Sequence, residues 1–309
     1  MSVVKGISYW RLGLIGGQLG HSLSPRLQRA ALQSAGLRGE YRLYAVPPLP
    51  EGEAQLRALV EGLRAPPTLR LHGLNVTIPH KQNVLPYLDE LTPTARAVGA
   101  VNTLYADGSR LIGENTDAQG FWTDFERLWQ AGGGGNQPGT ALVLGGGGAA
   151  RAVAYSLISH GWRVVLATRR IEQGERVVRD LKALRLPGSL AVIPLEAARL
   201  ARWRAARAVI NATPVGMSPQ TDECPYPPEL DLPPQAVVYD LVYNPAETVL
   251  LRRARQQGLP AANGLGMLVE QARLAFACWT GITPPAEALY AALPQPQTIP
   301  SSQPNGEQE

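Results

Sequence analysis

Between Thr140 and His160 the chain runs through an apolar strand, a glycine run and a helix opening. No other stretch restricts the fold as much. Thr140–Leu144 carries four apolar residues after Thr140, which suits a strand buried on both faces. Gly145–Gly148 follows, and a helix is expected from about Ala149 to His160. A strand, a tight glycine turn and a helix form the setting in which a dinucleotide pyrophosphate rests on a helix N-terminus. Gly145, Gly147 and Gly148 would keep Cβ atoms out of its way, with Gly146 optional. A second glycine run, Gly132–Gly135, leads into Asn136-Gln137-Pro138-Gly139 and reads as a surface loop.

The next strand, Arg163–Ala167, indicates which nicotinamide cofactor the turn would serve. Sites for NAD place Asp or Glu at its end to hold the ribose 2′-hydroxyl. Here Thr168-Arg169-Arg170 stands in that place, about 24 residues after Gly145. A hydroxyl and two guanidiniums suit a 2′-phosphate, so NADP is the expected cofactor. A basic loop on a solvated edge is the plainer reading of the same residues.

The chain before this point alternates apolar runs with helical patterns. Strands are expected at Arg11–Gly16, Tyr41–Val46 and Leu71–Thr77. Helices are expected at Pro25–Ser34, with Ser24 as N-cap and Gly36 past its end, and at Glu51–Leu63. Ala118–Trp129 reads as a further helix. Ala208–Ile210 and Ala236–Leu241 read as later strands of the second sheet, and Gly266–Thr280 as a long helix. This rhythm implies an α/β fold with parallel or mixed sheets covered by helices. Pro294–Glu309, rich in Pro, Gln and Ser, is expected to be disordered.

Composition removes several classes of function. The 309 residues carry a net charge of +4, but the basic residues are scattered and aromatics are only 6%, so neither a nucleic-acid stripe nor a stacking platform is expected. Cys224 and Cys278 stand far apart and the four histidines form no ligand spacing, so neither a disulfide framework nor a metal site is expected. No leader peptide and no run near the ~20 apolar residues of a membrane span are seen, which suits a cytoplasmic protein.

Of the 29 cationic residues only Lys5, Lys81 and Lys182 are lysines. Arginine stays protonated, whereas a lysine can give up and retake a proton. Lys81 closes Asn75-Val76-Thr77-Ile78-Pro79-His80-Lys81, which offers an amide, a hydroxyl and an ammonium. It could also be a solvated lysine in a helix's first turn. Ser22 and Ser24 lie two residues apart between a strand and a helix. Gly99-Ala100-Val101-Asn102-Thr103 adds an amide and a hydroxyl, and Glu114-Asn115-Thr116-Asp117 adds carboxylate. Asp117 could instead cap the following helix. Together these groups suit a polyhydroxylated substrate that carries a carboxylate.

These segments carry a family resemblance. Ser22–Pro25, Asn75–Lys81, Ala100–Thr103, Asn115–Asp117, Gly145–Ala149, Ile210–Thr213, Tyr239–Tyr243 and Asn263–Gln271 resemble the corresponding segments of shikimate dehydrogenases, in family order from about residue 11 to 292. The resemblance implies an NADPH-dependent, reversible reduction of 3-dehydroshikimate to shikimate, with Lys81 and Asp117 as the catalytic pair. Ser22 and Ser24 would hold the substrate carboxylate. Thr77, Asn102, Asp117 and Gln271 would bond its ring hydroxyls, and Tyr243 would lie near the carboxylate end. Gly145, Gly146, Gly147, Gly148, Ala149, Thr168, Arg169 and Arg170 would bind the cofactor. Asn211, Ala212, Thr213 and Leu241 would flank it, and Gly264 and Met267 would line the nicotinamide pocket.

The fold implied is a substrate-binding domain over residues 1–116, completed by helices in 264–293, and a Rossmann-type NADP domain over 117–263. The active site would lie in the cleft between them. A small-molecule substrate is the expected partner, with a homodimer allowed. Some positions depart from the commoner pattern: His80 replaces an apolar aromatic, Glu114 an aspartate and Ala118 a glycine. Gln173 stands where some members carry another arginine. An NAD-dependent quinate/shikimate dehydrogenase is the competing enzyme reading, against which Ser24 and Arg169-Arg170 count. A non-catalytic ligand sensor on the same fold would be expected to lack Lys81 or Asp117.

Overall fold

A computed structural model of the chain describes residues 7–66 and 69–294. Of the tail expected to be disordered, only Pro294 falls among them; the rest lies outside the described residues. The first sheet comprises β1 (Trp10–Gly16), β2 (Gly39–Ala45), β3 (Gly73–Val76), β4 (Glu90–Leu91), β5 (Thr103–Asp107) and β6 (Arg110–Glu114). Their spatial order is β2-β1-β3-β5-β6-β4. β1 pairs in parallel with β2 and β3, whereas β5 is antiparallel to both β3 and β6, so the sheet is mixed. Helices α1 (Ser24–Ser34), α2 (Glu53–Glu61) and α3 (Pro93–Val98) connect its strands. The β5–β6 hairpin is absent from the sequence reading, although Asp107-Gly108 with Gly108 at φ +62 is a common hairpin-turn signal.

The second sheet comprises β7 (Thr140–Leu144), β8 (Arg163–Thr168), β9 (Ser189–Pro194), β10 (Ala208–Asn211), β11 (Val237–Asp240) and β12 (Ala261–Asn263). It is parallel throughout, in the order β12-β11-β10-β7-β8-β9. That is the doubly wound order of dinucleotide-binding folds, with the direction of winding reversing between β7 and β10. Its helices are α4 (Thr116–Ala131), which leads in from the first sheet, α5 (Gly148–Ser159), α6 (Ile171–Lys182), α7 (Ala197–Leu200) and α8 (Val249–Gln256). The central strands β7, β10 and β11 are buried almost end to end, as expected where helices cover both faces.

After β12 the chain returns to the first sheet through α9 (Leu265–Thr280) and α10 (Ala286–Ala291). Trp10, Leu12, Leu14 and Leu27 share one apolar core with Val269, Phe276, Trp279 and Leu289. Trp279 lies flat on the glycine of β3: a Cβ on Gly73 would meet its ring at 2.3 Å. Its indole nitrogen donates to the Leu104 carbonyl at 3.1 Å. The two passages between the sheets, α4 and α9, pack against each other. A Cβ on Gly120 would meet the backbone nitrogen of Gln271 at 2.8 Å.

Two helix starts differ from expectation. Ser24 is the first residue of α1, not its cap. Leu23 before it already has helical backbone angles, and no side chain caps the helix. The Ser24 hydroxyl is thereby left for other work. At α4 the cap is Asn115, whose side chain accepts from the Ala118 N–H at 3.2 Å, and Asp117 falls in the first turn. Asn115→Ala is expected to cost about 1 kcal/mol of stability, the usual worth of such a cap, measured by urea unfolding.

Candidate active site

Strand register gathers the site at one edge of the first sheet. β1 and β3 are parallel, so their C-terminal ends lie side by side, and Gly17 donates to the Ile78 carbonyl at 3.0 Å. Asn75 sits opposite Thr103, and Thr103 opposite Glu114. The loops carrying Thr77, Asn102 and Asn115–Asp117 therefore emerge together, beside the Ser22–Ser24 turn.

Lys81 stands in a turn after β3, not on a helix, and its ammonium contacts Asp117 Oδ2 at 2.6 Å. The pair is partly sheltered, with the lysine side chain 30% exposed and the aspartate 13%. Asn102 Nδ2 donates to Asp117 Oδ1 at 2.8 Å and to Thr116 Oγ1 at 2.9 Å, which uses both amide hydrogens. Asn102 Oδ1 accepts from Thr116 N at 2.8 Å. Asp117 is thus fixed through both oxygens and lies in the first turn of α4, where the helix N-terminus favours a negative charge. Among the described residues the Lys81 ammonium makes no other hydrogen bond. The arrangement presents one transferable proton on an oriented, partly desolvated ammonium.

Beneath this pair is a buried polar floor. Tyr41 donates to Asn75 Oδ1 at 2.8 Å. Asn75 Nδ2 donates to the Asn102 carbonyl at 3.1 Å and to Thr103 Oγ1 at 3.2 Å. Burial pushes the Tyr41 phenol well above its usual range. Asn75, counted above among the ligand-facing amides, is therefore buried scaffold. Glu114 is likewise occupied, accepting from Thr92 Oγ1 at 2.8 Å and from Asn115 N at 2.6 Å. His80 is buried with Nε2 at 2.9 Å from the Val46 carbonyl, which requires the proton on Nε2. A polar ring with this partner explains how His80 stands in an apolar setting.

Gln271 reaches the site on α9. Its carbonyl accepts from Thr116 Oγ1 at 3.1 Å, while its side-chain amide donates to the Leu268 carbonyl at 2.8 Å. Ser22, Thr77 and Tyr243 are partly buried and make no side-chain hydrogen bond to Lys81, Asp117 or Asn102. Burial raises the Tyr243 phenol above its ordinary value.

In the second sheet the winding reverses between β7 and β10, which stay paired to their last residues, and the space beyond their C-terminal ends is the usual ligand crevice of such sheets. Gly145 has φ +121, and a Cβ there would meet the Ala212 carbonyl oxygen and Thr213 Cγ2 at 3.1 Å. Gly146 is tighter than the sequence pattern requires, since its Cβ would meet Thr168 Oγ1 at 3.0 Å. Around Gly147 and Gly148 a Cβ would meet nothing within 4 Å. Gly147 caps α5 without a side-chain hydrogen bond, and Ala149 is exposed in the first turn. Open space over uncapped N–H groups fits a pyrophosphate.

Thr168 ends β8. Arg169 and Arg170 follow on the surface, and among the described residues neither guanidinium has an ionic partner. Two free cations at the start of α6 fit a 2′-phosphate. On the far side Gly264 backs onto Leu241, whose carbonyl oxygen a Cβ would meet at 2.2 Å. Met267 packs against the second-sheet core from the first turn of α9. Among the described residues no group of His, Cys, Asp or Glu could hold a metal ion, and no helix is long and apolar enough to cross a membrane.

Residues 14–104 match the family model of the shikimate dehydrogenase substrate binding domain. Residues 264–293 match that of the shikimate 5′-dehydrogenase C-terminal domain. The shikimate dehydrogenase (NADP(+)) of Salinibacter ruber is 45% identical over 91% of this chain and 95% of its own length. That of Symbiobacterium thermophilum is 43% identical over 91% and 92%. Shikimate 5-dehydrogenase from Thermus thermophilus, solved with NADP(H) and shikimate, superposes with a TM-score of 0.77 at 37% identity, covering 92% of this chain and 98% of that one. With the mixed and the doubly wound sheet both matched along nearly the whole chain, the protein belongs to the shikimate dehydrogenase family.

Proposed function

We propose that this protein catalyses the reversible, NADPH-dependent reduction of 3-dehydroshikimate to shikimate, in the route to chorismate and the aromatic amino acids. The observation that carries the reading is the Lys81–Asp117 contact at 2.6 Å at the edge of the first sheet. Bound NADPH supplies the hydride. Reducing a ketone leaves negative charge on its oxygen, and the Lys81 ammonium is the group placed to protonate it. In the reverse direction neutral Lys81 takes the hydroxyl proton back. Asp117 holds the ammonium in place through Oδ2, and Oδ1, beside its bond from Asn102, has a second lone pair for the neighbouring hydroxyl. Asn102 reaches a ring hydroxyl by exchanging its bond to Thr116 while it keeps the one to Asp117. Thr77 and Gln271 supply further hydroxyl contacts, and Gln271 does so by releasing Leu268. Ser22 and Ser24 receive the carboxylate, with Tyr243 near that end.

The same reading assigns residues 1–116 and the helices of 264–293 to substrate binding and 117–263 to the cofactor. Gly145–Ala149 would hold the pyrophosphate. Thr168, Arg169 and Arg170 would hold the 2′-phosphate, and Asn211–Thr213, Leu241, Gly264 and Met267 the nicotinamide side. The unpaired thiols Cys224 and Cys278 are in keeping with a cytoplasmic setting. Self-association as a homodimer is checked by sedimentation.

The deciding experiment follows absorbance of the reduced nicotinamide with shikimate and either NADP or NAD at matched concentrations. Strong signal with NADP and weak signal with NAD is expected. Equal or better rates with NAD would overturn the cofactor assignment, and turnover of quinate in preference to shikimate the substrate assignment. No signal with either would leave a ligand sensor.

A further inference from the structure

Asp240 ends β11 and is fully buried. Three donors from three segments converge on it. Oδ1 accepts from Asn211 Nδ2 at 2.8 Å and from Val242 N at 3.0 Å. Oδ2 accepts from Thr248 Oγ1 at 2.6 Å, the hydroxyl that caps α8. Among the described residues no cation pairs with it, and burial pushes its carboxyl up to about 6. An unpaired buried carboxylate is a costly way to fill a core, and a neutral residue would serve packing better. Its worth therefore lies in what it holds.

Asp240 sets the direction of the Asn211 amide. A carboxylate only accepts, so it selects the NH₂ side of Asn211 and turns the carbonyl side away. Asn211 Oδ1 then accepts from Thr213 N at 2.9 Å and from Thr213 Oγ1 at 2.7 Å. Asn211 Nδ2 also donates to the Val215 carbonyl at 3.2 Å, and Thr213 Oγ1 accepts from Val215 N at 3.2 Å. Flipping the amide would oppose two donors at Thr213 and loosen the turn that borders Gly145. The second Asp240 contact fixes Val242, beside Leu241, the residue on which Gly264 rests.

We infer that Asp240 is a positioning residue for the nicotinamide half of the cofactor, acting through the orientation of the Asn211 amide. This rests on the NADP-dependent reading above. Asp240→Ser is the informative variant. Its hydroxyl can still accept from Val242 N in the local turn but is too short to reach Asn211. Asp240→Asn keeps an acceptor oxygen for Asn211 and is the conservative control.

Dissociation constants are measured for NADP and for adenosine 2′,5′-bisphosphate, which lacks the nicotinamide half. The serine variant is expected to weaken NADP at least tenfold and to leave the bisphosphate within about twofold, which also reports an intact fold. The asparagine variant is expected to stay within about threefold of wild type for both. Should the serine variant not fold, Asp240→Thr, which keeps the same local turn, takes its place. Equal weakening of both ligands, or no weakening of NADP, would overturn the inference. A wild-type protein that oxidises shikimate with NADP separates that failure from a failure of the proposed function.

Discussion

Lys81→Ala is expected to lower kcat for shikimate oxidation by about three orders of magnitude, within the range typical of a lost general acid–base group. The Michaelis constant for shikimate should change only a few-fold. In the proposed mechanism Asp117, Asn102, the two serines and Thr77 still hold the substrate, whereas no other lysine or histidine is assigned to the proton. Asp117 is anchored through Oδ1 by Asn102, so removing the ammonium does not release the carboxylate from its place. Steady-state kinetics at saturating NADP separate the two constants. A small primary amine added to the alanine variant should restore part of kcat, because the lost group is an exchangeable proton carrier. Adding Asp117→Asn to Lys81→Ala should cost little further, since residues that act as a unit are not additive. A variant that kept its turnover at saturation and lost only affinity would remove Lys81 from the proton transfer.

Replacing Arg169 and Arg170 together by alanine is expected to raise the Michaelis constant for NADP by roughly a hundredfold or more. Hydrogen bonds to charged groups contribute about 1.5–3 kcal/mol each. The constant for NAD should stay nearly unchanged, so the preference between the two cofactors collapses. Both guanidiniums are exposed, so the wild-type preference itself should narrow as salt is added. Gln173 leaves two arginines, not three, to supply this selectivity. Loss of both cofactors in parallel would mean that the arginines support the fold of the α6 start and not the 2′-phosphate.

Much of the site is legible in the chain because its parts are local. Gly145–Gly148 needs only a preceding strand and a following helix to be read, and both are written in adjacent residues. Thr168-Arg169-Arg170 is placed by counting along the next strand. Lys81 stands out because so few lysines accompany it. The helix starts are harder. Asn and Asp cap helices about equally well. Asn115 and Asp117 stand two residues apart, so only the backbone angles show that the amide caps and the carboxylate is free for Lys81. Ser24 misleads for the same reason, since the helical backbone begins at Leu23. The polar floor is out of reach from sequence: Tyr41 and Asn75 meet only because β2 and β3 both flank β1. Asp240 is equally silent, as its burial and its three donors depend on strands and a helix start separated along the chain.

The return of α9 to the first sheet sets the order in which this protein can mature. Trp279 and the Leu104 carbonyl it contacts are 175 residues apart, and Gln28 and the Ala272 carbonyl 244. During synthesis the N-terminal strands leave the ribosome first, yet the apolar surface around Trp10 and Leu27 stays uncovered until α9 follows. The cofactor sheet, by contrast, is continuous in the chain and can close on itself in the meantime. A nascent chain therefore acquires the phosphate-binding end of its nucleotide site before a substrate site. The module translated first is the one completed last.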